Sequence, residues 1–134
     1  MTPGEIIHTA KTIAVVGISD DHSRPSYSVA KRLMQVGYTI VPVNPRVKEW
    51  EGLTCYPYVS SIPETITIDI VDIFRRSEAT PDTVRDALKR QNKPRCIWLQ
   101  AGIVNEEAKR LTEEAGIYYV ENRCTAVEYA LSRR

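Results

Sequence analysis

Five short apolar runs, separated by segments of helical periodicity, are the feature that most constrains what this chain can fold into. The runs lie at residues 12–17, 38–43, 68–74, 96–99 and 117–120. Continuous apolar runs of this kind are typical of parallel strands that are buried on both faces. Parallel strands need crossover connections, which are right-handed and usually helical. The alternation therefore predicts an α/β chain with a three-layer, Rossmann-like, doubly wound parallel sheet of about five strands.

The segments between the runs carry helix signals. Helices are predicted at residues 3–10, 26–36 and 125–133, and two more should begin at Thr80-Pro81-Asp82 and at Asn105. Ser26 and Thr80 are the expected N-caps, since a hydroxyl oxygen can accept from the first free N–H groups. Residues 46–66, which contain Gly52 and two prolines, predict mostly loop with one short helical piece.

Length and charge exclude several classes of protein. The chain has 134 residues, so residues 1–134 are expected to form one domain. The formal net charge is +1, which disfavours a nucleic-acid coat. No apolar stretch approaches the roughly 20 residues that span a bilayer, and the N-terminus does not resemble a signal peptide. Three widely spaced cysteines indicate neither disulfides nor a metal site. We expect a cytoplasmic protein that binds neither nucleic acid nor membrane.

Cations follow the predicted strands. In open parallel sheets, ligands bind beyond the carboxyl ends of the strands. The residues just after the five runs include six cations: Arg24, Arg46, Lys48, Arg75, Arg76 and Arg123. The helix near Ser26 should also direct its N–H groups toward the same edge of the sheet, where the strands end. These features favour a small polyanionic ligand, most simply a nucleotide with several phosphates; the alternative is that the arginines are solvated loop charges.

The turn after the first strand differs from that of most dinucleotide-binding proteins. Of the pattern G-x-G-x-x-G only Gly17 is present, with Ser19 and His22 at the other two positions. Asn44 stands where an acid usually holds the adenosine ribose at the end of the second strand. These differences disfavour NAD and leave NADP, or another nucleotide with a phosphate on its ribose.

Six short motifs in order carry a resemblance to a known family. They read Val-Val-Gly-Ile-Ser, Ser-Arg-Pro-Ser-Tyr-Ser-Val-Ala, Gly-Tyr-Thr-Ile-Val-Pro-Val-Asn-Pro, Val-Asp-Ile-Phe-Arg-Arg, Ile-Trp-Leu-Gln-Ala-Gly-Ile and Glu-Asn-Arg-Cys. Together the chain resembles the small stand-alone CoA-binding proteins, which are similar to the N-terminal CoA-binding domain of the succinyl-CoA synthetase α subunit. The resemblance covers residues 10–130 and implies a Rossmann-like domain that binds coenzyme A across the strand ends.

The resemblance also implies a set of ligand-binding residues. Near the phosphates it places Gly17, Ile18, Ser19, Arg24, Pro25 and Ser26. Beside the adenosine it places Val43, Asn44, Pro45 and Arg46. Along the nucleotide and pantetheine it places Phe74, Arg75 and Arg76, and on the far side Gln100, Gly102, Asn122, Arg123 and Cys124. Asn122 stands where the family more often has an acid, which makes a proton-transfer role doubtful.

We interpret the chain as a CoA or acyl-CoA binding protein without catalytic residues of its own. The resemblance does not extend to the synthetase domain that carries the phosphorylated histidine. A minimal NADP-dependent reductase is one alternative. A ligand-free interaction module that uses Trp50, Tyr56 and Tyr58 as contacts is another. A homo-oligomer or an unknown protein partner is compatible with the sequence.

The cysteines and tryptophans carry further expectations. Cys124 lies beside a cation at a helix start, where a thiolate is favoured, so it could form a mixed disulfide with the CoA thiol or be a core residue. Cys96 and Trp98, in a strand, are expected in the core, and Cys55 could be either. Trp50, in a polar loop, is interpreted as a surface or oligomer contact.

Overall fold

The five apolar runs form the five strands of one parallel sheet. The computed structural model describes residues 1–132. The strands are β1 (Thr12–Val16), β2 (Thr39–Val43), β5 (Ile70–Ile73), β6 (Cys96–Leu99) and β7 (Tyr118–Val120). They pair in the order β2-β1-β5-β6-β7, and each pairing is parallel. This confirms the predicted Rossmann-like, doubly wound sheet.

Helices cover both faces of the sheet and make three layers. They are α1 (Pro3–Thr9), α2 (Pro25–Gln35), α3 (Thr80–Leu88), α4 (Glu106–Glu114) and α5 (Thr125–Ser132). Helices α1, α2 and α5 pack on one face, and α3 and α4 on the other. Residue 133, which the sequence prediction assigned to the last helix, lies outside the described residues. No helix within residues 1–132 is both long enough and apolar enough to cross a membrane.

Alternate residues of each strand supply the two cores. On β1, Ile13 and Val15 face α1, α2 and α5, whereas Ala14 and Val16 face α3 and α4. All four are at most 7% exposed, because both faces of the strand are covered. Double-sided burial is the physical reason that the run is apolar without alternation.

Two predicted helix caps are wrong. Helix α2 has Arg24 as its N-cap and Pro25 as its first residue, so Ser26 lies inside the first turn. Its buried hydroxyl oxygen accepts from the Ser19 N–H at 3.1 Å and so supports the loop before the helix. Thr80 is likewise the first residue of α3, which a 3₁₀ turn (Ser77–Ala79) precedes. In both cases proline occupies the first turn, where its missing N–H does no harm.

The segment 46–66 contains more structure than its sequence indicates. Strands β3 (Glu49–Trp50) and β4 (Leu53–Thr54) form a small antiparallel hairpin, which the sequence did not predict. The expected short helical piece is the 3₁₀ turn Val59–Ser61. Trp50 is only 1% exposed, so its interpretation as a surface contact is wrong. Its ring packs against Tyr27, with ring centroids 5.6 Å apart, and covers the start of α2.

The chain reverses its direction of travel across the sheet between β2 and β5. Strand β1 is interior and pairs with β2 on one side and β5 on the other, while β5 is the middle strand. The chain runs from β1 to β2 at the edge and then crosses back beyond β1 to β5. The carboxyl ends of β1 and β5 therefore flank the topological switch point, where such sheets bind their ligands.

Candidate functional site

A cavity of about 700 Å³ opens at this switch point. The ends of β1, β2 and β5 form its floor, and the 3₁₀ turn Val59–Ser61 and α3 form its walls. Its volume is within the range of small-molecule sites. The lining residues are Val16, Gly17, Val43, Asn44, Pro45, Arg46, Pro57, Tyr58, Val59, Ser60, Phe74, Arg75, Arg76, Ala79, Asp82, Thr83, Asp86 and Lys89.

Gly17 allows the close packing at the base of the cavity. Its φ is +82°, and a Cβ atom built there would lie 2.3 Å from the carbonyl oxygen of Phe74. Its N–H donates to the Val43 carbonyl at 2.9 Å, which continues the β1–β2 ladder by one residue. Any side chain at this position would displace the backbone after β5. Glycine therefore keeps the ends of β1 and β5 close together beneath the cavity.

The loop after Gly17 is held by side chains from the β2 end and the hairpin. Asn44 Nδ2 donates to the Ile18 carbonyl at 2.8 Å, and Asn44 Oδ1 accepts from the Arg46 N–H at 2.9 Å. Trp50 Nε1 donates to the Ser19 carbonyl at 3.0 Å. The Asn44 carboxamide is thus engaged within the protein, and its role is to position the loop.

A second set of contacts fixes α2 against the hairpin. The Tyr27 hydroxyl and Lys31 Nζ both donate to the Glu51 carboxylate, the latter at 3.1 Å. These two bonds lower the pKa of Glu51, Tyr27 having the larger effect, and the same contact raises the pKa of Tyr27. The His22 ring stacks on Tyr27 with centroids 4.1 Å apart. The helix start is therefore anchored by the hairpin that the sequence did not predict.

Four cations line the cavity: Arg46, Arg75, Arg76 and Lys89. The Arg75 side chain passes over Gly17, and its Nη1 donates to Thr83 Oγ1 at 3.2 Å. Arg76 points outward, where its side chain is 84% exposed and lies 3.6 Å from Glu78. Arg75 is therefore the better placed of these two neighbours to face a ligand in the cavity.

The two acids in the lining are already paired within the protein. Asp82 accepts from Arg85 at 3.0 Å in an exposed ion pair. Asp86 accepts from the Val59 N–H at 2.8 Å and from the Ser60 hydroxyl, so that it ties the 3₁₀ turn to α3. The four cations of the lining outnumber its two carboxylates, so the cavity carries a net positive charge, which suits an anionic ligand.

The structure brings together only part of the set implied by the resemblance. Eight of those residues line the cavity: Gly17, Val43, Asn44, Pro45, Arg46, Phe74, Arg75 and Arg76. Five lie along the loop and first turn of α2 without lining it: Ile18, Ser19, Arg24, Pro25 and Ser26. Five lie beyond β6 and β7, also outside the lining: Gln100, Gly102, Asn122, Arg123 and Cys124.

Sequence reasoning missed the wall of the cavity. Tyr58, Thr83 and Lys89 line it but were not among the expected ligand-binding residues. The available signal was that α3 directly follows β5, which places residues of that helix beside the switch point. Tyr58 is 57% exposed, and the sequence names it only as a contact of the alternative interaction module.

Gln100, which directly follows β6, belongs to a closed ring of buried hydrogen bonds. Gln100 Nε2 donates to Asp72 Oδ1 and to Thr125 Oγ1, each at 2.8 Å, and Thr125 Oγ1 donates to Asp72 Oδ2 at 2.9 Å. The three residues are at most 4% exposed. The ring joins β5, β6 and the start of α5, so Gln100 has a structural role here.

Asp72 has a strongly shifted ionisation. Burial without a cationic partner raises its pKa to about 7, against the lowering effect of the bonds from Gln100 and Thr125. Sequence reasoning overlooked this residue. An acid within a strand that is buried on both faces needs hydrogen-bond partners, and that requirement was the available signal.

The other expected ligand-binding residues beyond β6 and β7 are held by local contacts. Asn122 has a φ of +57°, and its Oδ1 accepts from the Gly102 N–H at 2.7 Å. Arg123 Nη1 pairs with Glu128 at 2.9 Å, and the Arg123 carbonyl accepts from Trp98 Nε1 at 2.7 Å. Cys124 is partly buried just before α5. Cys55 and Cys96 are buried, as are Trp98 and Trp50.

An open parallel sheet with a cationic cavity at its switch point defines a Rossmann-like domain with a candidate anion site. Comparison with known proteins gives the family: residues 11–130 match the model of the CoA binding domain. The chain belongs to the CoA binding domain family, which confirms the resemblance seen in the sequence.

Individual relatives agree with this assignment. The chain is 39% identical over 130 residues to the uncharacterized protein YneT of Bacillus subtilis, covering 96% of this chain and 93% of that protein. A solved structure, cell-free ID.343 from Thermus thermophilus, has a TM-score of 0.89 and 35% identity over 98% of this chain and 99% of that one. Acetate–CoA ligase (ADP-forming) I of Archaeoglobus fulgidus is 25% identical over 85% of this chain, which spans 18% of the ligase.

Proposed function

We propose that this protein binds coenzyme A or an acyl-CoA at the carboxyl ends of β1, β2 and β5. The observation that carries the proposal is the cavity at the switch point, which is lined by Arg46, Arg75 and Lys89 and has Gly17 in its floor. Membership in the CoA binding domain family supports the same ligand. CoA carries a diphosphate and a ribose 3′-phosphate, so its charge suits a cavity dominated by cations.

The structure of the loop after β1 favours CoA over NAD. An NAD site needs a close glycine-rich approach and an acid that binds the ribose hydroxyls. Here Asn44 takes the place of that acid, and its carboxamide is engaged by Ile18 and Arg46. A ribose that carries a phosphate gains from nearby cations instead, and Arg46 is the next cation along the chain.

The α2 N-terminus supplies a second favourable element beside the cavity. The helix begins at Pro25, and its positive end lies at the loop that follows Gly17. Arg24, at the N-cap position, is exposed and adds a charge there. We propose that the diphosphate lies between the cavity and this helix start, which accounts for the implied role of Arg24.

Mass spectrometry of the small molecules released on denaturing the purified protein tests this proposal. We expect CoA or an acyl-CoA to be released, and added CoA to raise the melting temperature in a dose-dependent way, since a ligand that binds only the native state stabilises it. NAD serves as the matched control and should leave the melting temperature unchanged. A larger shift in melting temperature with NADP than with CoA would favour the reductase. No shift with CoA, NAD or NADP would favour the interaction module.

A further inference from the structure

We infer that residues 124–128, the first turn of α5 with the residue before it, form a pH-dependent lid over Asp72. The lid is closed in mild acid and opens more readily as the pH rises to neutrality. The inference is independent of the proposed ligand. It follows from how α5 is attached to the sheet, from which parts of the chain beside the lid are fixed, and from the surroundings of the acid beneath it.

The start of α5 is attached to the sheet mainly by one polar side chain. Of the residues Thr125–Ser132, only Thr125 is buried, and the others are half-buried or exposed. The Thr125 hydroxyl donates to Asp72 Oδ2 at 2.9 Å, and its oxygen accepts from Gln100 Nε2 at 2.8 Å. The first turn is therefore held by hydrogen bonds to a titratable group more than by apolar packing.

The chain is fixed on either side of the lid. Before the lid, Trp98 Nε1 donates to the Arg123 carbonyl at 2.7 Å. After it, the half-buried ring of Tyr129 meets Tyr38 edge to face, with ring centroids 5.8 Å apart. Residues 124–128 lie between these two points, so they can open as a local unit while the rest of α5 stays in place.

Asp72 has no charged partner in its buried position among residues 1–132. Its register neighbours on β1 and β6 are Val15 and Trp98. The Cys96 thiol, also on β6, interacts with Asp72 and stays neutral, because burial raises its pKa. The titratable groups of the helices over this face do not shift the pKa of Asp72. They are Glu5 and His8 on α1, Tyr27, Lys31 and Arg32 on α2, and Cys124, Glu128 and Tyr129 at α5.

The pKa of Asp72 sets the direction of the pH dependence. Burial raises it to about 7 and outweighs the opposing effect of the bonds from Gln100 and Thr125. Opening of the lid admits water, which returns the pKa toward the ordinary value of about 4. The open form therefore holds fewer protons than the closed form between these two values. Opening becomes easier as the pH rises through this window and levels off above it, by up to about 100-fold from pH 5 to pH 8.

Hydrogen exchange at single amides of the intact chain tests this inference. The Glu128 N–H donates to the Cys124 carbonyl at 3.0 Å, so its exchange reports opening of the lid. The matched control is the Lys109 N–H, which donates to the Asn105 carbonyl at 3.1 Å in the first turn of α4. After correction for the intrinsic exchange rate, we expect the protection of Glu128 to fall at least about tenfold from pH 5 to pH 8. The protection of Lys109 should change by less than about threefold.

Variants of the buried ring show whether Asp72 is the group responsible. Asp72→Asn removes the titration and should make the protection of Glu128 independent of pH. Thr125→Val removes one bond to the ionised Asp72, so the fall in protection should continue to a higher pH. Thr125→Ser keeps the hydroxyl and should restore the wild-type profile.

Alkylation of Cys124 gives a second readout. Dividing its rate in the wild type by its rate in Asp72→Asn cancels the ionisation of the thiol, and this ratio should rise with pH. The buried thiols of Cys55 and Cys96 are internal controls, whose ratios should stay constant.

Three results would overturn the inference. One is protection at Glu128 that does not change with pH, and another is an equal change in the wild type and in Asp72→Asn. The third is a free energy of opening at Glu128 equal to that at the Ile97 amide, in the middle of the sheet, at every pH. Asp72 would then meet water only on global unfolding, and the start of α5 would not be a lid.

Discussion

The carbonyl oxygen of Phe74 lies 2.3 Å from the position that a Cβ atom at Gly17 would occupy. Two neighbouring parallel strands, β1 and β5, therefore meet at their carboxyl ends only because one residue lacks a side chain. The Arg75 side chain passes over the same glycine, with its Cγ 3.3 Å from that position. The tight packing of Gly17 against Phe74 thus also forms the floor on which we propose the ligand lies.

Gly17→Ala should lower both stability and CoA affinity. The positive φ alone disfavours an L-residue by about 1–2 kcal/mol, and the overlap with the Phe74 carbonyl must add to that penalty by displacing backbone. Gly116→Ala is the matched control, since Gly116 has a φ of +74° but nothing within 4 Å of the added atom. Comparing the thermal unfolding of the two variants separates the cost of the overlap with the Phe74 carbonyl from the cost of the positive φ. Equal losses in both would refute the close-packing argument.

Asn44→Asp should destabilise the protein, although it is nearly isosteric. The Ile18 carbonyl would lose the N–H that it accepts at 2.8 Å and face a carboxylate oxygen instead. Loss of such a bond costs about 1–3 kcal/mol when the group left behind is buried. Denaturant unfolding measures this cost. In the control Asn122→Asp the acceptor for the Gly102 N–H is retained, so little change is expected. Equal stability of the two variants would contradict the role of Asn44 in positioning the loop after Gly17.

Arg75→Ala should weaken CoA binding by roughly 10- to 100-fold, the equivalent of one charge-assisted hydrogen bond. Arg76→Ala should change it by less than about threefold, because Arg76 points into solvent beside Glu78. Isothermal titration of the two variants provides its own control, since each removes one arginine from the same loop. A larger effect at Arg76 would show that the ligand takes another path.

Arg24→Ala should weaken CoA binding by about tenfold without lowering the melting temperature by more than a degree or so, because a solvated loop arginine contributes little to stability. Arg32→Ala, an exposed arginine in the last turn of the same helix, is the control and should leave affinity unchanged. If Arg24→Ala melts much lower yet binds CoA normally, Arg24 is a structural residue and the ligand does not reach the start of α2.

Asp72 should make stability depend on pH between the ordinary carboxyl range and neutrality. Burial raises its pKa to about 7, so the folded protein retains a proton that the unfolded chain releases near pH 4. The free energy of unfolding due to Asp72 therefore falls as pH rises through this window, by an amount on the order of a few kcal/mol, and levels off above it.

Asp72→Asn isolates this contribution, because the amide cannot titrate. Subtracting the pH profile of the variant from that of the wild type removes the effects of Glu51 and Glu64, whose pKa values are lowered. Those two groups stabilise the protein above their pKa and lose that effect as pH falls. Parallel profiles from pH 5 to pH 8 would mean that Asp72 does not titrate there.

The sequence predicted the sheet well because double-sided burial leaves a direct mark. A strand covered by helices on both faces is predominantly apolar, as Ile13 to Val16 are, and that pattern needs no tertiary information. The hairpin Glu49–Trp50 and Leu53–Thr54 left no such mark, because two-residue strands are too short to show a period. Trp50 was misplaced for the same reason: its burial depends on Tyr27 and Ser19, which are distant in sequence.

The candidate site was predictable only in part. Strand ends can be read from the sequence, which is why Gly17, Asn44 and Arg75 were found near the switch point. Whether a side chain faces the ligand or an internal partner depends on contacts across the fold. Nothing local shows that Gln100 closes a ring with Asp72 and Thr125, or that Lys89, at the far end of α3, lines the cavity.

Isothermal titration of the purified protein, freed of any bound ligand, with CoA and with NADP tests the central claim most directly. The account predicts saturable binding of CoA at one site per chain, at least about tenfold tighter than that of NADP and weakened in the Arg75→Ala variant. Absence of measurable heat with CoA, together with saturable binding of NADP, would contradict it.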